Sequence, residues 1–161
     1  MESQIPPAWQ LIALMDGFVA TQLVYVAAKL GIAEILADGP HSGAELADAV
    51  GADRQALTRV LRGLAAVGVL TEVGDDGFAL TDVGRALGPL GAMALARGDL
   101  YYPAAAGLLD AVRDGDTAFD RVYGASFFDH LAQHPDLEAT FQGSMSGRSS
   151  QEARDVVAAY D

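Results

Sequence analysis

Two histidines four residues apart, His130 and His134 in HLAQH, are the side chains of this sequence best suited to chemistry. One helical turn separates them, the spacing at which two imidazoles can share a metal ion. The HExxH arrangement of hydrolytic zinc sites needs a glutamate after the first histidine, and Leu131 stands there instead. No third strong ligand lies nearby in sequence, and Pro135 ends the helix at the second histidine. A histidine in the last turn of a helix is favoured by the helix dipole, so the pair reads as a helix end. No metal site is expected.

GSMSG, residues 143–147, falls short of the nucleophile elbow GxSxG because its central residue is Met145. It also lies within a helical pattern, whereas the elbow follows a strand. Neither GxGxxG nor GxxxxGKS occurs, so no nucleotide-phosphate loop is encoded. The absence of cysteine removes thiolate nucleophiles, thiolate metal sites and disulfides, and fits a reducing cytoplasm. No catalytic residue is assigned. Phe127, Phe128, Phe141 and Met145 remain, and they suit either a core or the apolar wall of a small-molecule pocket.

The elements that position these residues begin with an apolar stretch from Ala8 to Leu30. It could span a bilayer by length, but Asp16 stands well inside it beside Gln10, Gln22 and Lys29. A helix apolar nearly all round must be covered on most sides. So short a chain can hardly surround it, and a second copy is the expected cover. No basic n-region precedes it, which argues against a secretory signal.

Further on, Ser42 precedes Glu45 by three residues, a capping box, and Gly51 breaks the helix that follows. Asp53 caps the next helix, which carries Leu57, Val60, Leu61, Leu64 and Ala65 at helical spacing and ends at Gly68. TEVGDDGFALT then reads as a hairpin around Gly74–Asp75–Asp76–Gly77. Helix, turn, helix and hairpin make a winged helix. TDVGRAL opens another helical segment, and Gly88 to Gly98 is glycine-rich and fits no single element. A helix is expected from about Pro103 to Arg113, a short one in FFDHLAQH, and a last one from Pro135 to the end.

Winged helices often read DNA. The recognition helix carries Arg54, Arg59 and Arg62, yet Ser42–Gly84 holds three basic residues against seven acidic ones. The wing tip is Asp75–Asp76, where phosphate is repelled, and the whole chain has a net charge of −12. Neither nucleic acid nor an anionic membrane is an expected partner.

In this order the parts resemble the N-terminal region of the S-adenosylmethionine-dependent O-methyltransferases of the plant-caffeate type, in particular bacterial members acting on polyketides and other aromatic natural products. The resemblance rests on the apolar first helix, LGIAEIL, LTRVLRGLAAVGVLTEVGDDGFALTDVGRAL, FDRVYGASFFDHLAQHPDLEATFQGSM and QEARDVVAAYD, and covers essentially all 161 residues. It implies a mainly α fold: a winged-helix-like domain with a small β-hairpin, a long N-terminal dimerisation helix and a C-terminal helical extension. Residues 1–100 would be the dimerisation and winged-helix domain, and residues 101–161 a helical linker or lid leading to a Rossmann-like domain outside this chain.

The resemblance further implies a homodimer through the N-terminal helices. Phe141 and Met145 match Phe-x-x-x-Met, which lines the substrate side of the pocket. Ser149 falls where a serine approaches the amino-acid end of the cofactor, and Met15 or Phe18 would enter the partner's pocket. His130 takes a place where tyrosine or tryptophan is common. S-adenosylmethionine would serve the parent enzyme, with no tight binding to this segment and no turnover by it alone. Val156, Val157 and Tyr160 would pack on the further domain and be exposed here. The competing expectation is a stand-alone dimeric winged-helix regulator that senses a small apolar ligand.

Overall fold

The structure, a computed structural model, describes residues 5–160, apart from the side chains of Asp155, Ala158 and Tyr160. Its contacts divide the chain into two units, Met1–Gly84 and Arg85–Asp161.

In the first unit the apolar N-terminal stretch forms two helices, α1 (Pro7–Met15) and α2 (Gly17–Lys29), instead of the single long helix expected. The pair bends by 41°. Asp16 and Gly17 stand at the break, both poor helix formers in a helix interior. Among the described residues no single helix is long and apolar enough to cross a membrane; this bent pair reaches the length only together.

After α3 (Ile32–Ile35) and a short 3-10 turn, His41 and Ser42 form a two-residue strand, β1. Helix α4 (Gly43–Val50) starts from the expected capping box, with the Ser42 side chain accepting from Glu45 N–H and Glu45 accepting from the Ser42 N–H at 2.8 Å. It ends on Gly51 at φ 66°, where a residue with a Cβ is strained. Asp53 then caps α5 (Arg54–Ala66), accepting from Ala56 N–H at 2.8 Å.

The wing comprises β2 (Leu70–Val73) and β3 (Gly77–Leu80), antiparallel with Leu70 opposite Leu80. β1 adds to the other edge of β3, with His41 opposite Phe78, giving the order β1-β3-β2. Leu46, Leu61 and Leu64 are fully buried in this unit's core, together with Ile32 and the sheet residue Phe78.

The division between units falls inside α6 (Asp82–Arg85). The second unit begins with α7 (Leu87–Ala96), so the glycine-rich stretch is helical, and continues into a π-helical turn over Arg97–Tyr101. The helix expected from Pro103 to Arg113 is divided into α8 (Tyr102–Ala105) and α9 (Leu108–Asp114). Ala106 and Gly107 close turns onto Pro103 and Ala104 carbonyls, and a Cβ on Gly107 would meet the Ala118 carbonyl oxygen at 3.0 Å, so tertiary packing selects the break. Helices α10 (Ala118–Tyr123), α11 (Phe127–Gln133) and α12 (Pro135–Tyr160) complete the chain.

Candidate functional site

Two features could carry function, one in each unit. In the first unit no residue of α1 is buried, and Trp9, Leu11, Leu14, Met15, Phe18 and Val19 are all exposed. The far end of α2 is anchored differently. Ala27 is buried, and Leu23 lies against Gly63 of α5, where a Cβ would come within 3.0 Å of its methyl groups. The domain thus holds one end of the α1–α2 arm and presents its apolar remainder to solvent. Met15 and Phe18 straddle the bend, 59% and 53% exposed.

The groove between α5 and the wing is a second surface of this unit. It is lined by Arg54, Thr58 and Arg62 on one side and by Glu72, Asp75 and Asp76 on the other. Arg54 is already engaged with Asp48 through two contacts, Nη2–Oδ2 at 2.7 Å and Nε–Oδ1 at 3.0 Å. A phosphate entering this groove would face carboxylates on its wing side.

In the second unit the feature is an aromatic cluster built where α10, α11 and α12 meet. Ala96, Leu100 and Leu131 are its buried base, and Phe119, Phe127, Leu137 and Phe141 pack on that base. Phe141 meets Phe127 edge-on at 5.1 Å, Phe127 meets Phe119 at 5.0 Å, and Phe119 meets His130 at 5.5 Å. Tyr123 closes the row against His130 at 4.4 Å, and its hydroxyl donates toward the carbonyls of Asp99 and Leu100 at 2.9 and 3.2 Å. Those carbonyls belong to the π-helical turn, a local irregularity of the kind frequent at functional sites. Burial and the nearby Asp99 charge raise the Tyr123 hydroxyl above its ordinary range, so it stays a donor.

Helix α12 carries three of the predicted residues on one stripe, since Phe141, Met145 and Ser149 follow at intervals of four. Phe141 is half-buried in the cluster, Met145 is 46% exposed, and Ser149 is exposed. GSMSG has a packing role here. A Cβ on Gly143 would lie 3.1 Å from the Ala92 Cβ, and one on Gly147 would lie 2.9 Å from the Pro89 carbonyl oxygen, so these glycines let α12 press against α7. Further along, Val156 and Val157 are exposed, as expected; the Tyr160 side chain lies outside the described residues.

Among the described residues no group of three or more metal-ligating side chains converges, at the histidine pair or elsewhere. His134 Nδ1–H donates to the His130 carbonyl at 2.7 Å, which is a helix-end contact. His130 itself is buried, and its part in the aromatic row was not foreseen. Phe119 and Tyr123, also unforeseen, are four apart in FDRVY, a spacing that hints at a shared helix face.

The sheet with α4 and α5 makes the first unit a winged-helix domain, extended by an apolar helical arm. Residues 12–88 match the O-methyltransferase dimerisation domain, and the chain belongs to that family. It is 38% identical over 162 residues to the phenazine O-methyltransferase PhzM of Lysobacter antibioticus, an alignment covering 98% of this chain and 48% of the relative. The crystal structure of LaPhzM superposes with a TM-score of 0.89 at 39% identity, covering 98% of this chain and 49% of that one. CalO1, a methyltransferase in calicheamicin biosynthesis solved in its SAH-bound form, gives a TM-score of 0.78 at 32% identity, covering 94% of this chain and 47% of that one. The chain spans about half the length of the curated relatives it matches.

Proposed function

We propose that this chain is the dimerisation and substrate-lid portion of a small-molecule O-methyltransferase that uses S-adenosylmethionine and acts on an aromatic or polyketide-type acceptor. The observation that carries the reading is the exposed apolar arm, which lies largely within the residues matching the dimerisation domain. Covering that arm with the same arm of a second copy removes large side chains from water, each contributing about 1.5–3 kcal/mol when fully buried. In this reading residues 1–100 serve dimerisation and residues 101–161 form the lid.

Phe141 and Met145 would wall the acceptor side of the pocket, one held in the aromatic cluster and the other free to meet a ligand. Met15 or Phe18 would enter the partner's pocket. The work of such walls is to orient the acceptor and exclude water from its nucleophilic oxygen. S-adenosylmethionine, when bound, supplies the methyl group. Toward it these residues offer Ser149, one exposed hydroxyl, and the sequence contains no glycine-rich nucleotide loop. That donor set does not fit a cofactor site, so base, loop and methyl transfer are assigned to a further domain.

The purified chain with S-adenosylmethionine and a panel of phenolic acceptors is therefore expected to give no methyl transfer. Turnover would overturn the reading. The coding sequence just past Asp161 is a second test, with a buried strand and GxGxG expected there. The regulator reading draws support from Arg59 and Arg62 on α5, both of them exposed. It requires salt-dependent, sequence-selective DNA binding, and no binding in low salt removes it.

A further inference from the structure

His130 is a buried imidazole whose Nε2 has no hydrogen-bond partner. Its ring stacks on His134 with centroids 4.1 Å apart and packs against Tyr123 and Phe119. Buried polar atoms without partners are rare in folded proteins and call for a physical reason. A neutral imidazole tolerates this place, with the proton on Nδ1 and Nε2 as a bare acceptor. An imidazolium does not, because both nitrogens then carry N–H groups and Nε2–H would point into a site without an acceptor.

The neighbours offer no relief. Tyr123 faces the ring from α10, and its hydroxyl proton is committed to the π-helical turn, where Asp99 also stands. On α11 itself Asp129 is hydrogen-bonded to Ser126 at 2.6 Å, and the exposed His134 lies one turn on. The first turn of α12 carries Asp136 and Glu138, both acidic. Among the described residues no carboxylate forms an ion pair with His130.

We propose that His130 is a proton-sensitive latch on the corner between α10 and α11: neutral, it closes the aromatic row, and protonated, it opens that row. Because Phe119 touches His130 and Phe127 touches both Phe119 and Phe141, opening loosens the support of Phe141 as well. Any consequence for acceptor binding rests on the pocket reading above; the latch itself does not.

Burial, and after it the neighbouring His134, hold the His130 pKa below the ordinary 6.5. The unfolded chain therefore takes up the proton first as pH falls. Stability from this corner is complete above the unfolded value, declines as pH drops through it, and levels off below the depressed folded value.

The chain has three histidines, so ring NMR signals can be assigned with single substitutions and titrated in the intact protein. His130 is expected to titrate below the ordinary 6.5. Hydrogen exchange of residues 118–134, corrected for intrinsic rates, should lose protection several-fold between about pH 7.5 and about pH 5.5, the range that brackets an ordinary histidine. His130→Phe keeps a ring and removes the proton, and should make that protection independent of pH; His130→Tyr serves if the first variant does not fold. A His130 midpoint at or above the ordinary 6.5, or the same pH dependence in the variant, overturns the latch. A pH-independent variant whose longer parent protein binds no acceptor would overturn the pocket reading alone.

Discussion

Phe141 meets Phe127 edge-on, with ring centroids 5.1 Å apart and planes at 76°. The last helix is thereby fastened to the first residue of the helix before it, and Phe141 has a structural role that Met145, one turn later, lacks. Phe141→Ala should destabilise the second unit by about 1.5–3 kcal/mol, less than the roughly 3–5 kcal/mol of a Phe→Ala truncation in a fully buried core, because the ring is half-buried. Met145→Ala should change stability by less than about 0.5 kcal/mol. Urea unfolding followed by far-UV circular dichroism separates the two.

Two glycines make opposite predictions for one substitution. Gly91 lies within α7, and an added Cβ there would meet nothing within 4 Å. Gly91→Ala should therefore stabilise by about 0.8–1 kcal/mol through helix propensity. At Gly147 the same gain is opposed by overlap with the Pro89 carbonyl oxygen, a backbone atom that cannot swing aside. Overpacking of this kind costs about 1–3 kcal/mol, so Gly147→Ala should come out destabilising. Thermal midpoints moving in the same direction for both would contradict the close approach of α12 to α7.

The capping box of α4 should respond to acid. Hydrogen bonds from the Ser42 backbone and hydroxyl hold the Glu45 carboxylate below its ordinary 4.5. A depressed carboxylate contributes stability above its unfolded pKa and loses it as pH falls through the folded one. Ser42→Ala should cost about 0.5–2 kcal/mol near neutral pH and less at about pH 3, measured by urea unfolding at both.

On the arm, Leu14 is 79% exposed and Phe18 sits just past the bend. Leu14→Asp or Phe18→Asp places a charge on the face proposed to be buried between copies, while leaving the chain's own core untouched. Either should yield a folded monomer, judged by unchanged circular dichroism and halved mass in sedimentation.

Local signals carried most of what the sequence revealed. Ser42 with Glu45, Asp53, Gly51 and the turn from Gly74 to Gly77 each act within a few residues, and the structure has all of them in place. What escaped was decided by distant partners. β1 is two residues long and exists because His41 and Ser42 pair with β3. The division of α8 from α9 follows from packing at Gly107. Helix α10 had a readable signal, since Thr117 caps it through Asp120 N–H at 3.1 Å in a Thr-x-x-Asp pattern. The histidine pair announced a helix end correctly, but burial of His130 depends on Phe119 and Tyr123, which lie on the preceding helix.

The exposed apolar arm is the centre of the account, and its oligomeric state tests it most directly. Multi-angle light scattering of the purified chain at micromolar concentration should give twice the mass of one chain, persisting in high salt because apolar burial is not screened. A single monomeric species under those conditions would contradict it.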